Sequence, residues 1–323
     1  MPTRRTILAY ASGAALSAVF GRFAEAQEKN VIEQPWSLEG LTGTYTAPRE
    51  QPRGPAVLII AGSGPTDREG NNPGGIRADT YRMLAQVLAA SGIRSLRYDK
   101  RGIGGSQAKM TREEDLRFDH YVDDAASAAR DLAGRPDITG VVLAGHSEGG
   151  LVAIRAASRA PVKGLVLFTA LGRPIGVTLR EQLLAAPIPE NARSEAVRIL
   201  DRLIAGERVD DVPATLAALF RPSVQPYLAS VLPLDPAIEL GKLKLPVLLI
   251  HAGRDLQIGE TDFAALAKAR ADAAILQLPE ANHILKRVAA DRAANLAAYG
   301  NPYLPLDPDL APKLVEFIRA VAP

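Results

Sequence analysis

No cysteine occurs among the 323 residues. That excludes disulfides, thiolate metal sites and a cysteine nucleophile. Aromatic residues make up only 5% of the chain, so a core must be built mostly from aliphatic side chains. Histidine is scarce too, with four copies at 120, 146, 251 and 283, and none falls in an HExxH or similar ligand spacing. No metal site is therefore expected. Charge of one sign is lacking: the formal net charge is +2, which leaves no basic footprint for nucleic acid. Low-complexity tracts and internal repeats are absent as well.

What is present is a chain 47% hydrophobic and long enough to bury a large core. Its first residues, MPTRRTILAYASGAALSAVFGRFAEAQ, combine Arg4-Arg5, an apolar stretch from Ile7 to Phe20, and Ala24-Glu25-Ala26. A charged start, a short apolar run and a small-x-small site predict a signal peptide over residues 1–26, and the arginine pair points to the twin-arginine route. An uncleaved anchor is the alternative, but about 14 apolar residues fall short of the ~20 that a spanning helix needs. Removing residues 1–26 takes away three arginines and one glutamate, leaving 35 basic and 35 acidic residues. The expectation is a periplasmic or secreted protein with no stable membrane insertion after cleavage.

Over residues 27–323, short apolar runs alternate with helical patterns. Ala56–Ile60, Ile93–Tyr98, Val141–Ala144, Leu165–Phe168, Val247–Ile250 and Ile275–Leu278 read as strands buried on both faces. Helical patterns cover Tyr81–Ala90, Val122–Leu132, Gly150–Arg159, Phe263–Ala271 and Leu310–Val321. This alternation predicts an α/β fold with a mostly parallel central sheet flanked by helices. Residues 36–45 read as a small antiparallel hairpin leading in. From Gly172 to about Gly241 no strand pattern occurs, while Val197, Leu200, Leu203 and Ile204 share a helical face. Some 70 residues are too many for a loop, so a helical cap is expected at about 172–240, placed over the strand ends.

Gly145-His146-Ser147-Glu148-Gly149 fits G-x-S-x-G between an apolar strand and a small-residue helix. Such a turn strains the serine backbone, projects its Oγ above the sheet, and needs glycines where a Cβ would clash. The backbone N–H of Glu148 then points to where an oxyanion would develop. A serine hydroxyl needs a base and an acid that orients the base, in the chain order serine, acid, histidine. Two histidines follow Ser147. His251 ends an apolar strand and reads as a strand-end residue, whereas His283 lies in a loop just past the last strand, where the base belongs. Asp255 follows the preceding strand in HisAlaGlyArgAsp; its competitor, Asp262, reads as a helix cap. The loop after the first parallel strand, residues 61–72, is rich in small residues and offers Ser63 as a second oxyanion donor. No Gly-Lys-Ser/Thr follows it, which removes a phosphate loop. ArgGlyIleGlyGlySer (101–106) lacks the third glycine of a dinucleotide fingerprint and reads as a tight turn. Glu148 reads as an acidic residue at a helix start, with recognition of a cationic substrate group as the alternative. His120 and Asp123–Asp124 read as the opening of a surface helix.

These pieces, in this order, resemble the α/β-hydrolases: AGSGPTDREGN after the first parallel strand, YDKRGIGGS after the next, GHSEGG, HAGRD and ANH. The resemblance covers nearly all of residues 27–323. It is nearest to bacterial esterases grouped with serine-aminopeptidase-like and dienelactone-hydrolase-like proteins. One departure is Ala61, where many relatives carry histidine. The resemblance implies a Ser147/Asp255/His283 triad, no cofactor, a lid of helices and a small-molecule ester substrate. A peptidase or amidase with the same triad is the alternative, and a non-catalytic binding protein on this fold is a third reading. Acyl and alcohol specificity and oligomeric state are not legible.

Overall fold

The computed structural model describes residues 30–323, so the expected signal segment lies outside the described residues. Eight strands form one sheet in the order β1-β2-β4-β3-β5-β6-β7-β8. They are β1 (Val31–Leu38), β2 (Leu41–Pro48), β3 (Gly54–Ile60), β4 (Arg94–Tyr98), β5 (Ile138–His146), β6 (Gly164–Phe168), β7 (Val247–Ala252) and β8 (Ala274–Leu278). From β4 to β8 every neighbouring pair is parallel, while β1 and β2 are antiparallel additions at one edge. The hairpin is longer than residues 36–45. Its polar, Pro35-containing first strand sits at the sheet edge, where proline is tolerated and apolar periodicity is weak.

The central strands are continuously apolar because both faces are covered. Leu58, Ile60, Leu143, Leu165 and Leu249 point into one core with α2 (Phe118–Ala133), α3 (Glu148–Ala156) and α9 (Glu260–Ala269). Val57, Ile59, Val142, Val166 and Ile250 point into the other, closed by α1 (Thr80–Ala90) and α10 (Leu310–Val321). The period of two along each strand thus feeds two separate cores.

Chain direction across the sheet reverses at β3. From β3 the chain runs outward to β4, then returns to β5 on β3's other side. At such a switch point the loops leaving two adjacent strands diverge and open a crevice at their carboxyl ends. Here those loops begin at Ala61 and at Ser147.

Between Gly172 and Gly241 the chain forms α4 (Ile175–Ala185), α5 (Glu190–Ile204), α6 (Ala217–Phe220), α7 (Gln225–Val231) and α8 (Pro236–Gly241), with a short 3₁₀ turn before α6. The last of these pack sideways on α2 and α3. The Phe118 N–H donates to Ser230 Oγ at 2.8 Å, Tyr227 packs against Tyr121, and Arg155 reaches Glu239. Among the described residues no helix is long and apolar enough to cross a membrane.

Two local expectations differ from the structure. The helix expected from Val122 already begins at Phe118, and Asp124 is buried, pairing with Arg101 through both carboxylate oxygens at 2.6 and 2.7 Å. A partner 23 residues away is invisible to local patterning. His120 does lie at the helix start, where its Nδ1 accepts the Arg117 N–H.

Candidate active site

Ser147 stands between β5 and α3 with φ 55° and ψ −124°, a conformation that L-residues rarely adopt. Crowding forces it. A Cβ on Gly145 would lie 2.2 Å from the Gly149 carbonyl oxygen, and one on Gly149 would lie 2.4 Å from that of Ile60. Two glycines therefore let the strand and helix meet at van der Waals distance, and the serine absorbs the turn. Its N–H donates to the Phe168 carbonyl at 3.0 Å and its carbonyl accepts from Gly150 at 2.9 Å, which fixes the peptide planes on both sides.

Asp255 and His283 are brought together from the loops after β7 and β8. His283 Nδ1 lies 2.6 Å from Asp255 Oδ2, and both side chains are buried. Asp255 Oδ1 accepts the N–H groups of Gln257 and Ile258 at 2.7 and 3.0 Å, so backbone donors aim the carboxylate at the ring. With its proton held on Nδ1, the imidazole presents Nε2 as the basic nitrogen. His283 and Ser147 line one cleft of about 250 Å³ together with Ser63, Thr66, Asn72, Ile76, Gln257 and Tyr299. No aspartate, glutamate, lysine or arginine lines it.

The wall of this cleft differs from expectation. Residues 62–81 and 257–299 build it, and no side chain from 172–241 contributes. The reason is the sideways packing of α7 and α8 on α2 and α3. The long segment after β3 is held without regular structure by polar anchors. Arg68 bonds Asp99 at 2.6 Å, Glu69 bonds the buried Arg97 at 2.9 Å, and Asn71 Oδ1 accepts the N–H groups of Ala78 and Asp79.

The other sequence candidates sit elsewhere. His251 stacks on Phe263 and pairs with Glu260 at 2.9 Å, away from the cleft. Asp262 lies in the first turn of α9 but does not cap it. Its carboxylate is buried and accepts from the N–H groups of Gly172 and Arg173 and from the Arg173 guanidinium. Glu148 opens α3 as expected, yet it is buried, and its Oε1 accepts the Tyr227 hydroxyl at 2.7 Å.

Sequence reasoning passed over His146 and Tyr81. The Tyr81 hydroxyl lies 2.8 Å from His146 Nδ1, and the Gly62 N–H donates to that hydroxyl at 3.2 Å. His146 Nε2 lies 2.8 Å from the His283 carbonyl oxygen. A carbonyl only accepts, so the partners put the His146 proton on Nε2 and leave Nδ1 to accept from Tyr81. Burial pushes the His146 pKa down to about 3, so the ring is neutral across ordinary pH. One hydrogen-bonded chain thereby joins the loop after β3, the serine turn and the loop carrying His283. The available signal was a histidine ending a wholly apolar strand, where a buried ring must find polar partners.

The chain is similar to several known proteins. The family described as "Serine aminopeptidase, S33" matches residues 74–209. The chain is 29% identical over 262 residues to Esterase EstD of Thermotoga maritima, covering 78% of this chain and 60% of that protein. It thus spans less than two thirds of that relative's length. Among solved structures, Est1E of Butyrivibrio proteoclasticus with ferulic acid bound superposes with a TM-score of 0.56 at 16% identity, covering 89% of this chain and 96% of that one. The Pyrococcus furiosus esterase Pf2001 gives the same score and identity over 91% and 92%. The eight-stranded, mostly parallel sheet flanked by helices, together with these structural likenesses, shows the α/β-hydrolase fold.

Proposed function

We propose that the chain is a serine hydrolase that cleaves small, uncharged carboxylic esters through an acyl-enzyme on Ser147. The observation that carries this reading is the 2.6 Å Asp255–His283 contact, with His283 lining the same cleft as the strained Ser147. Ser147 Oγ attacks the acyl carbon while His283 Nε2 takes its proton; the leaving alkoxide receives that proton, and water repeats the cycle on the acyl-enzyme. Asp255 orients the ring and stabilises its charged form. The N–H groups of Ser63 and Glu148, which find no acceptor among the described residues, serve the oxyanion.

The cleft favours esters over aminoacyl substrates. A free α-ammonium needs a carboxylate, none lines the cleft, and Glu148 is already engaged by Tyr227. The names of the Thermotoga and Pyrococcus relatives point the same way. Fluorophosphonate labelling, alongside turnover of p-nitrophenyl esters and aminoacyl anilides, tests both points. Ser147 should carry the label, and esters should be the better substrates by kcat/KM. Unlabelled protein with no turnover would sink the hydrolase reading, and anilides cleaved as fast as esters would favour a peptidase.

Two further parts of the reading rest on sequence. Residues 1–26 direct export, which predicts a periplasmic or secreted protein beginning near Gln27; a protein beginning at Met1 would reject it. The helical segment at about 172–240 carries no chemistry, for it contains no histidine. Because it lines none of the cleft, it acts on substrate choice indirectly, through its packing on α2 and α3 and the Tyr227–Glu148 hydrogen bond. Trimming it should alter acyl preference and leave fluorophosphonate labelling intact.

A further inference from the structure

Lys100 is nearly completely buried in the loop just after β4, two residues past Tyr98. Its ammonium stands over the face of the Tyr121 ring, with Nζ 5.2 Å from the ring centre. The ammonium donates to one acceptor in the loop after β3, the carbonyl oxygen of Gly62. Burial lowers the Lys100 pKa from its ordinary value, and the neighbouring Glu148 carboxylate opposes that shift. Burying a cation is costly unless it is paired and hydrogen-bonded, and here the Gly62 carbonyl and the Glu148 carboxylate offset that cost.

The Gly62 carbonyl and the Ser63 N–H belong to one peptide unit. In a trans peptide the two groups point in opposite directions across a rigid plane, and no cis bond occurs among the described residues. Whatever holds the oxygen therefore aims the N–H. A cation on the oxygen also draws electron density away from the nitrogen and strengthens the N–H as a donor. The same residue is fixed on its other side, where its own N–H donates to Tyr81. There is little slack between, since a Cβ on Gly62 would lie 3.2 Å from Ser147 Cβ.

We propose that Lys100 is a positioning residue of the oxyanion hole: by gripping the Gly62 carbonyl it orients and polarises the peptide whose N–H, on Ser63, meets the developing oxyanion. This rests on the acyl-transfer reading of Ser147. Lys100 touches neither substrate nor reacting atoms. Its contribution appears only when the substrate oxygen acquires charge, so it belongs to kcat and not to ground-state binding.

The experiment first establishes fluorophosphonate labelling and ester turnover in the wild-type protein; failure there rejects the acyl-transfer reading and not the role of Lys100 within it. Lys100→Met removes donor and charge at similar length, and Lys100→Gln keeps a neutral donor. Lys100→Met should lower kcat by about 100-fold, the loss typical of one oxyanion donor, with KM changed less than about threefold. Affinity for a trifluoromethyl ketone, whose adduct carries the oxyanion, should fall in parallel, and Lys100→Gln should lie between. A folded Lys100→Met enzyme with unchanged kcat, or one whose loss is confined to KM and thermal stability with ketone affinity intact, would overturn the proposal. Should neither variant fold, a crystal structure of the wild-type protein with a boronic acid decides. The boronate oxygen should sit on Ser63 N with Gly62 O still on Lys100, and an oxygen held by other donors would overturn the role.

Discussion

The backbone oxygen of His283 accepts from His146 Nε2 at 2.8 Å, and the two rings stand 4.6 Å apart between centres. The residue before the candidate nucleophile thus holds the main chain of the candidate base. Thr169, itself at φ 41°, donates to the same oxygen at 3.3 Å. The loop carrying His283 is fixed by its carbonyl as well as by its ring. That leaves Nε2 free to face the cleft.

A neutral His146 makes stability depend on pH in a predictable direction. Its folded pKa, about 3, lies below the ordinary 6.5 of the unfolded chain, so the unfolded state binds the proton first. The contribution is complete above pH 6.5 and is lost as pH falls toward 3. Over that window it amounts to on the order of 5 kcal/mol. Denaturant midpoints at several pH values should show His146→Asn losing less stability on acidification than the wild type. Parallel curves would mean that the ring titrates alike in the folded and unfolded chains.

Gly149 is irreplaceable for steric reasons. An alanine Cβ would press on the backbone oxygens of Ile60 and Ala61 at 2.4 and 2.6 Å, and backbone cannot swing aside as a side chain does. Gly149→Ala should cost about 3 kcal/mol and displace the serine turn. Gly300→Ala, which meets nothing within 4 Å, is the control and should stay within about 0.5 kcal/mol. Equal thermal transitions for the two variants would contradict the crowding argument.

Most of the sheet is legible because β3, β5, β6 and β7 are buried on both faces and read as apolar runs. β1 is not, because an edge strand carrying Pro35 has neither apolar continuity nor strict alternation. The candidate nucleophile and acid can be located because each follows the end of such a run. The base follows β8, expected to be buried on both faces but in fact an edge strand of alternating burial with Ile275 exposed. What the chain cannot disclose locally is which polar groups meet across it. Tyr81 reaches His146 over 65 positions, Lys100 reaches Gly62 over 38, and Asp124 reaches Arg101 over 23. Each reads alone as an ordinary polar residue, and its partner is supplied by the sheet order. The direction taken by α7 and α8 is of the same kind, since amphipathic patterning gives a buried face but not the surface it seeks.

Chemistry at Ser147 should vanish without unfolding. Ser147→Ala should lower kcat on p-nitrophenyl esters by about 10⁵-fold or more, abolish fluorophosphonate labelling, and leave the thermal transition nearly unchanged. His283→Ala should match it, whereas His251→Ala and His120→Ala, altering rings outside the cleft, should keep most activity. Near-normal turnover in folded His283→Ala would return the role of base to His251.

Asp255 and Asp262 are both buried aspartates near the carboxyl ends of the strands, and amide substitution separates them. Asp255 faces an imidazole; as asparagine it can offer its N–H₂ to Nδ1 and stabilise the wrong tautomer, which leaves Nε2 protonated and unable to accept from serine. By analogy with serine proteases, Asp255→Asn should lower kcat by about 10⁴-fold with little change in KM. Asp262 faces no titrating ring. It accepts from two backbone N–H groups at 3.0 and 3.1 Å, from Thr178 Oγ1 and from Arg173, tying the start of the segment after β6 to α9. Losing its charge leaves the Arg173 guanidinium to Glu181 alone, an exposed partner. Asp262→Asn should therefore cost about 3 kcal/mol of stability, with kcat per folded molecule nearly intact. Paired kinetics and thermal melts check this: a folded Asp262→Asn enzyme with the larger loss of kcat would exchange the two roles.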